Sequence, residues 1–287
     1  MDLPSCRYPG LVIAGFNKCG TTSLFEWLCM HPEVCGSSVK ETHYLDDRVK
    51  PGAANFSRTG LDGYAQFFQP GPGEHLLVEA TPSYADQHQP LEVLRSLPQP
   101  PRIVFVLREP AARILSQFRY MQHTLRNIDQ RYQFSDWLAS EAGARELAKS
   151  NYLPQLQRWS AALGRERIYA LLFEDFIAAP QQQLSLLLDW AGLSAHQFNR
   201  ASLTQRNRTH AVRSPALEAV AGRVKALLPR GLVARLMPVY SWLNTQAVQI
   251  SASEQTALLR LRQDFRVENE QLASRFGLNI SPWLNRS

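Results

Sequence analysis

A loop near the N-terminus carries the residue types needed to bind an anion. Residues 15–22 read GFNKCGTT and join an apolar run, Leu11–Gly15, to a segment with helical apolar spacing. A glycine turn between a buried strand and a helix presents backbone N–H groups at the helix N-terminus, where the helix dipole also favours negative charge. Lys18 adds a positive charge, and Thr21 and Thr22 add hydroxyl donors. The pattern favours a phosphate-type site over a plain connecting turn, which would need only the glycines.

The spacing of this loop differs from that of the nucleotide loop that works with Mg²⁺. In that loop a lysine follows the second glycine and a Ser or Thr comes next, whereas here Lys18 precedes Gly20 and Thr21 follows it. A Mg²⁺-nucleotide enzyme also ends a buried strand in an aspartate, but the most apolar strand of this chain is followed by Arg108. The pair Glu174–Asp175, after a later strand, is the alternative source of such an acid. We therefore expect cations to contact the phosphates directly, without a metal ion.

Four apolar runs read as buried strands, and they alternate with helical segments. Short apolar runs bounded by turn residues are typical of a buried parallel sheet. The predicted strands are Leu11–Gly15, Leu76–Glu79, Ile103–Leu107 and Ile168–Phe173. The predicted helices include Thr22–Met30, Pro110 to about residue 125, Phe134–Ala148, Leu153–Leu163, Pro180–Ala191, Pro215–Leu228 and Glu254–Phe276. This alternation predicts an α/β fold, a P-loop-like parallel sheet flanked by helices on both faces, with a mostly helical C-terminal part.

The chain of 287 residues reads as a single domain. We expect its core to cover about residues 9–193 and a helical extension to cover about residues 199–287. Hydrophobic residues make up 45% and charged residues 20% of the chain, which excludes a mostly disordered protein. No run of about 18 apolar residues predicts a membrane span, and the N-terminus lacks the basic-then-apolar pattern of a signal peptide. The sequence therefore predicts a cytoplasmic protein.

The net charge and the cysteine content limit which ligands and partners we expect. A net charge of +6 favours anionic ligands, but no dense cluster of Lys and Arg with interleaved aromatic residues indicates nucleic acid. The cysteines fit no common zinc spacing and are interpreted as free thiols: Cys6, Cys19, Cys29 and Cys35. No metal site and no nucleic-acid partner are predicted, and the oligomeric state is left open.

Two segments, in order and in matching context, resemble a known signature. The first is Lys18–Leu24 (KCGTTSL) after the first predicted strand, and the second is Arg108–Phe118 (REPAARILSQF) after the central strand. Together they resemble the signatures of sulfotransferases that use 3′-phosphoadenosine-5′-phosphosulfate (PAPS), closest to the branch with heparan sulfate N- and 3-O-sulfotransferase domains and their bacterial relatives. The likeness runs from about Pro9 to Leu193, more loosely to Trp283, and includes the segments Lys40–Asp46, Val78–Tyr84, Ser150–Tyr152 with Trp159, and Phe173–Phe176.

The resemblance implies transfer of a sulfuryl group from PAPS to an acceptor hydroxyl or amine, with adenosine 3′,5′-bisphosphate (PAP) as product and no metal. The loop residues that it places around the 5′-phosphosulfate are Lys18, Cys19, Gly20, Thr21, Thr22 and Ser23. It places Arg108 and Ser116 at the 3′-phosphate. Arg208 and Arg213, with Arg206, lie in a late loop where the family closes over the nucleotide, although an Arg-rich loop is also typical of a solvated face.

The Glu-x-His segment supplies the candidate base. By the resemblance, Glu41 takes the proton of the acceptor, with His43 as the rival base, and Asp46 supports the pair. Lys18 neutralises the charge that grows on the oxygen leaving the sulfur. The residues alone favour a surface pair between Glu41 and Lys40 and a packed, hydrogen-bonded His43, whereas the resemblance favours catalysis.

The sequence does not identify the acceptor, but one difference from the family's motifs limits the classes of acceptor that we expect. Members that modify glycosaminoglycans carry a lysine in the second-strand segment, where this chain has Ala80, which argues against an acidic polysaccharide. A saccharide, a lipid or a metabolite remains as the acceptor. Two other functions remain open, a P-loop kinase-like phosphotransferase using ATP and a binding protein without catalysis. Arg113 is interpreted as solvated or ion-paired rather than as a ligand.

Overall fold

A parallel sheet of five strands forms the centre of the computed structural model, which describes residues 7–46, 55–129, 131–199, 210–212, 245–247 and 249–284. The strands are β1 Leu11–Gly15, β2 Val34–Gly36, β3 Leu76–Glu79, β4 Arg102–Leu107 and β5 Ile168–Leu172. Their order across the sheet is β2-β3-β1-β4-β5. All residues of β1 are buried, as expected of a parallel strand covered on both faces. The predicted α/β fold with a parallel sheet is confirmed.

Helices connect the strands and flank the sheet. In order they are α1 Thr21–Leu28, α2 Phe56–Ala65, α3 His88–Arg95, α4 Pro110–Arg119, α5 Phe134–Leu138, α6 Glu141–Ser150, α7 Tyr152–Leu163, α8 Phe173–Ala178 and α9 Pro180–Ala191. Short 3₁₀ turns occupy Pro82–Asp86 and Arg165–Arg167, and a π turn over Tyr120–Leu125 continues α4. An antiparallel pair, β6 His210–Val212 and β7 Thr245–Ala247, precedes α10 Ala252–Asp264, α11 Arg266–Phe276 and α12 Ser281–Leu284. The predicted helical C-terminal part is confirmed.

The strand order reverses beside β1. The chain leaves β1 towards β2 and β3 on one side and returns on the other side as β4 and β5. β1 pairs with β4 from Leu11 opposite Arg102 to Gly15 opposite Phe105, so the carboxyl ends of these two strands lie side by side. Open α/β sheets bind ligands outside the carboxyl edge at such a reversal. The loops that follow β1 and β4 are therefore placed to form one site.

The helix predicted over Phe134–Ala148 is two helices in the structure. Ser140 Oγ accepts a hydrogen bond from the N–H of Gly143 at 3.2 Å. Because this N-cap bond starts a new helix, α5 and α6 are separate elements. The helix predicted over Glu254–Phe276 is also wrong as a single element, since α10 and α11 join at Phe265, which has non-helical geometry.

The sequence does not predict β2. This strand has only three residues and pairs with β3 in parallel. Gly36 ends the strand at a close approach, because a Cβ at this position would lie 2.4 Å from Cys29 Sγ. Phe173, predicted as the last residue of a strand, begins α8 instead. The helix predicted over Pro215–Leu228 lies outside the described residues.

The C-terminal helices pack on the elements that follow β4 and β5. Buried side chains of α4 and α10 share one apolar cluster that includes Ile114, Leu115, Phe118, Leu258 and Leu261. Arg119 of α4 pairs with Glu254 of α10 at 2.9 Å. Trp283 Nε1 of α12 donates to Glu174 Oε2 of α8, also at 2.9 Å. These contacts attach the end of the chain to the carboxyl edge of the sheet.

The described cysteines, Cys19, Cys29 and Cys35, carry free thiols. Among the helices in the described ranges, none is both long enough and apolar enough to cross a bilayer.

Candidate active site

The N-terminal end of α1 forms one half of the site. The helix begins without a side-chain cap and without an acidic residue in its first turn. Its first internal hydrogen bond runs from Leu24 N–H to Gly20 O at 3.2 Å, so the amides of the residues before Leu24 point out of the helix end. These residues are Thr21, Thr22 and Ser23. A helix end of this kind attracts an anion through its amides and its dipole.

Gly20 lets the loop pack directly on an aromatic ring. Its φ of 86° lies in the left-handed region, and a Cβ at this position would lie 2.8 Å from the ring of Phe173. Lys18 is also left-handed, with a φ of 67°. These two conformations turn the chain from β1 into α1, and the first of them is one that glycine adopts without strain.

Lys18 and Arg108 come from different loops and lie in the same site. Arg108 Nη1 donates to the backbone oxygen of Lys18 at 3.1 Å, and the guanidinium lies 5.0 Å from the centre of the Phe173 ring. Burial, and after it the positive charge of Arg108, lowers the pKa of Lys18 to about 8. The two cations that the sequence placed after separate strands are therefore neighbours.

Ser116 lies half-buried in α4, one helical turn before Tyr120. The N–H of Tyr120, one helical turn further on, donates to the backbone oxygen of Ser116. The ring of Tyr120 lies against the Lys18 amine, with 3.8 Å between Nζ and the ring centre. Sequence reasoning missed Tyr120, and an aromatic residue one turn beyond Ser116 is the signal that could have identified it.

Arg113 supports the anion-binding loop from the core. Only 1% of its surface is exposed, and its guanidinium donates to Ser150 Oγ and Glu146 Oε2, both at 2.9 Å. It also donates to the backbone oxygen of Asn17 at 3.5 Å. The interpretation of Arg113 as ion-paired is therefore right, but a solvated Arg113 is wrong because the side chain lies in the core.

Tyr152 joins the two loops. Its hydroxyl donates to the backbone oxygen of Arg108 at 2.8 Å and lies 3.9 Å from Cys19 Sγ. The Cys19 side chain is fully buried, and burial raises the pKa of its thiol to about 11. Because the thiol faces Tyr152 in the core, a contact between Cys19 and an anion would have to come from its backbone.

Glu41, His43 and Asp46 form a row of hydrogen-bonding groups. His43 Nδ1 lies 3.0 Å from Asp46 Oδ2, and His43 Nε2 lies 3.6 Å from Glu41 Oε2. The fully buried Asp46 also accepts from Ser83 Oγ at 2.5 Å and from Gln87 Nε2 at 3.2 Å. The predicted pair is thus brought together, with Asp46 behind the imidazole.

The charges in this row support one another. The close contact of His43 with Asp46, and after it the contact with Glu41, raises the pKa of His43 to about 9. The contact with His43, together with the charge of Lys40, lowers the pKa of Glu41 to about 2. Lys40 also forms an ion pair with Glu41, as the residue types alone predict. At neutral pH the imidazole is protonated and both carboxylates are ionised.

The row lies near the anion-binding loop. The charge of Glu41 raises the pKa of Lys18, against the lowering by burial and by Arg108. About 41% of the Glu41 side chain is exposed, so its carboxylate can reach a second molecule. One region of the structure therefore brings together Lys18, Arg108 and the Glu41–His43 pair.

Two groups of predicted residues are not among those of the site described above. Arg208 and Arg213, with Arg206, are outside the described residues. Glu174, the alternative metal-binding acid, accepts from the N–H of Glu109 at 3.2 Å and from Trp283 Nε1 at 2.9 Å. Its carboxylate thus ties α12 to the start of α4.

A parallel sheet that reverses its strand order beside β1, an anion-binding helix end after β1 and an arginine after β4 define a P-loop-like α/β protein. Within this class the chain belongs to the sulfotransferase family, because the family model described as "Sulfotransferase domain" matches residues 9–215. Membership of this family does not favour the kinase-like alternative.

Two similar proteins illustrate the range of the family. The heparan sulfate glucosamine 3-O-sulfotransferase 3A1 of Homo sapiens is 22% identical over 277 residues, covering 88% of this chain and 63% of the relative. The membrane-associated sulfotransferase kil1 of Dictyostelium discoideum is 28% identical over 115 residues, covering 39% of this chain and 23% of the relative. The matches span less than two thirds of the length of either relative.

A solved structure supports the fold. The sulfotransferase from Alicyclobacillus acidocaldarius aligns with a TM-score of 0.56 at 21% identity, covering 82% of this chain and 95% of that chain. The alignment spans nearly all of the solved chain, so the two proteins share the architecture described above.

Proposed function

We propose that the protein transfers a sulfuryl group from PAPS to a hydroxyl group of a saccharide, a lipid or a metabolite. The observation that carries this proposal is the contact between the Lys18 and Arg108 loops beside the uncapped end of α1. A donor with phosphates at both its 3′ and 5′ positions needs two such cationic contacts close together.

The residues present fit the donor. The amides at the start of α1 and the Lys18 amine would hold the 5′-phosphosulfate, and Thr21 and Thr22 would add hydroxyl donors. Arg108 and Ser116 would hold the 3′-phosphate, since Arg108 is fixed beside the loop and Ser116 lies one turn from the ring that contacts Lys18. The contribution of Arg208 and Arg213 remains a proposal of the same kind.

The transfer exchanges one S–O bond for another. The acceptor oxygen forms a bond to sulfur while the bond between sulfur and the bridging 5′-phosphate oxygen breaks, and PAP leaves with the electron pair. Lys18 stabilises the negative charge that grows on this bridging oxygen. The proton of the acceptor hydroxyl passes to the base.

The charges favour Glu41 over His43 as the base. A protonated imidazole has no free acceptor nitrogen, whereas the Glu41 carboxylate is ionised and partly exposed. The hydroxyl becomes acidic only as its bond to sulfur forms, so a weakly basic carboxylate is sufficient. In this assignment His43, held by Asp46, orients Glu41.

One residue of the second-strand segment supports a class of acceptor. Ala80 is fully buried and carries no charge, so it supplies no cation for an acidic polysaccharide, which supports a neutral acceptor. The name of the human relative refers to 3-O-sulfation of a glucosamine unit, so amino sugars belong among the compounds to test. The cytoplasmic location stays a prediction from sequence.

Binding of PAP tests the donor site. We expect calorimetry in the presence of EDTA to detect PAP binding to the purified protein. Arg108→Ala should weaken this binding by about 1.5–3 kcal/mol, the scale of a charge-assisted hydrogen bond. Arg145→Ala is the matched control, because Arg145 is an exposed arginine that pairs with Glu141 on α6.

Transfer of labelled sulfate tests the reaction. PAPS carrying ³⁵S is supplied with a panel of neutral sugars, amino sugars, lipid alcohols and phenols. A labelled product that requires Lys18 supports the proposal. Label retained by PAPS across the panel, or equal PAP affinity in Arg108→Ala and the wild type, contradicts it.

A further inference from the structure

The core contains a carboxylate that the proposed mechanism does not use. Glu79, the last residue of β3, is fully buried. Its Oε1 accepts hydrogen bonds from Thr42 Oγ1 and Thr81 Oγ1, each at 2.6 Å, and its Oε2 accepts from the Tyr64 hydroxyl. A buried carboxylate is costly unless its oxygens are satisfied, and here three hydroxyl groups satisfy them.

Thr42, between Glu41 and His43, is the link between this carboxylate and the site. Its hydroxyl donates a hydrogen bond to Glu79 and accepts one from the N–H of Tyr44 at 3.2 Å. The Tyr84 hydroxyl accepts from the N–H of Leu45 at 3.1 Å and lies 3.3 Å from Thr42 Oγ1. Backbone and side-chain groups over residues 42–45 are therefore fixed by one hydrogen-bonded cluster.

Successive side chains of residues 41–44 point alternately into the core and towards the site. Thr42 and Tyr44 are buried on one side, whereas Glu41 is exposed and His43 half-buried on the other. His43 has a φ of 49°, a left-handed conformation that is uncommon for a residue with a Cβ. Such a conformation persists only where the surrounding structure holds it, and the contacts of Thr42 and Leu45 lie directly beside it.

We propose that Thr42 and Glu79 are positioning residues, whose buried hydrogen bond sets the direction in which Glu41 and His43 leave the backbone. Glu79 marks the end of β3, so the contact ties the catalytic row to the rigid sheet rather than to a loop. The role in catalysis rests on the function proposed above, whereas the role in placing His43 does not. Loss of the Thr42 hydroxyl should disturb the row without touching the donor loop.

The test uses the His43 imidazole as a reporter. Among the residues that the structure describes, the charged groups that contact this ring are Glu41 and Asp46, and the Ser83 hydroxyl lies 3.4 Å from Nδ1. The NMR titration of its Cε1–H, assigned by its loss in His43→Gln, should have a midpoint of about 9 in the wild type. Thr42→Ser keeps the hydroxyl and should keep this midpoint. Thr42→Val has nearly the same shape but no hydroxyl, and the midpoint should fall towards 6.5.

Equal midpoints in the wild type and Thr42→Val would overturn the proposal. If Thr42→Val does not fold, Glu79→Met provides the second variant, since it keeps an unbranched side chain but has no oxygen to accept from Thr42. Its His43 midpoint should also fall, and an unchanged midpoint would overturn the proposal in the same way. Tyr64→Phe is the control, because it removes a donor to Glu79 that does not pass through Thr42.

Kinetics separate this role from the proposed function. In Thr42→Val we expect turnover to fall about 10- to 100-fold, the range for a misplaced catalytic group, while PAP affinity stays within about twofold and Thr42→Ser recovers the rate. An unchanged rate contradicts positioning. A wild-type protein that neither binds PAP nor transfers sulfate refutes the proposed function, but the His43 titration still decides the structural role of Thr42.

Discussion

Glu41 is held ionised by its neighbours, because its pKa of about 2 leaves it as a carboxylate at every pH at which the protein would be assayed. Glu41→Gln keeps the size of the side chain but removes the negative charge. We expect turnover to fall by about 10²-fold or more, the scale of a general base, with little change in PAP affinity. Initial rates and calorimetry on the same preparation measure the two effects.

Glu92→Gln is the matched control for this substitution, since Glu92 is an exposed carboxylate paired with Arg95 on α3. Its rate should equal that of the wild type. Loss of PAP affinity in Glu41→Gln at an unchanged rate would mean that Glu41 serves the donor rather than the acceptor.

Lys18 has a pKa of about 8 before any anion binds, because burial and Arg108 disfavour its charged form. The amine is charged below this value and neutral above it. PAP affinity should therefore decline as the pH rises through about 8, and binding at pH 8.5 should take up protons because the bound phosphate favours the charged amine. Calorimetry in two buffers of different ionisation enthalpy measures this uptake, which should vanish in Lys18→Met.

At the scale of the elements, the turn between β1 and α1 depends on Gly20. An added Cβ would meet the Phe173 ring at 2.8 Å and would also occupy a left-handed conformation. Gly20→Ala should therefore displace the loop and reduce PAP affinity at least tenfold. Titration calorimetry measures the affinity, and chemical unfolding shows whether the fold persists.

Gly192→Ala is the control that separates backbone strain from the steric clash expected in Gly20→Ala. Gly192 is also left-handed, with a φ of 77°, but nothing lies within 4 Å of an added Cβ. This variant should lose about 1–2 kcal/mol of stability from the backbone alone and keep its PAP affinity. If both variants bind PAP as the wild type does, contact between Gly20 and Phe173 does not shape the site.

The elements with strong local signals were predicted from sequence. The boundaries of β1 and β3 agree with the prediction because apolar runs ended by turn residues specify buried strands. The three residues of β2 are too few for a pattern. The Ser140 cap was overlooked within an otherwise helical pattern, and local capping can interrupt a helix wherever such a residue occurs.

The residues of the site that lie in short contiguous motifs could be predicted from the sequence. Lys18, Arg108 and Glu41 stand within short motifs, so their types and spacing could be read directly. The roles of Arg113 and Tyr152 depend on contacts between distant segments, such as the bond from Tyr152 to the backbone of Arg108. A single sequence does not specify such contacts.

At the scale of the whole molecule, Glu174 connects the last described helix to the site. Trp283→Phe removes the indole N–H that donates to Glu174 Oε2 within the core. We expect a loss of about 1–3 kcal/mol in the free energy of unfolding, since a buried acceptor loses this hydrogen bond. Urea denaturation measures this loss.

Trp190→Phe is the control at this scale, because Trp190 donates to the backbone oxygen of Glu166 at a partly exposed position. It should lose less stability than Trp283→Phe. Equal losses in the two variants would show that the Glu174 contact adds nothing beyond an ordinary hydrogen bond.

The buried thiol of Cys19 can report how often the anion-binding loop opens. Only the thiolate reacts with an alkylating agent, and a thiol with a pKa of about 11 that is shut inside the core offers almost none. Iodoacetamide should therefore alkylate this cysteine only while the loop is open and the thiol is away from Tyr152. The alkylation rate, measured by mass spectrometry of the peptide that contains Cys19, should report the rate of loop opening, and bound PAP should lower this rate.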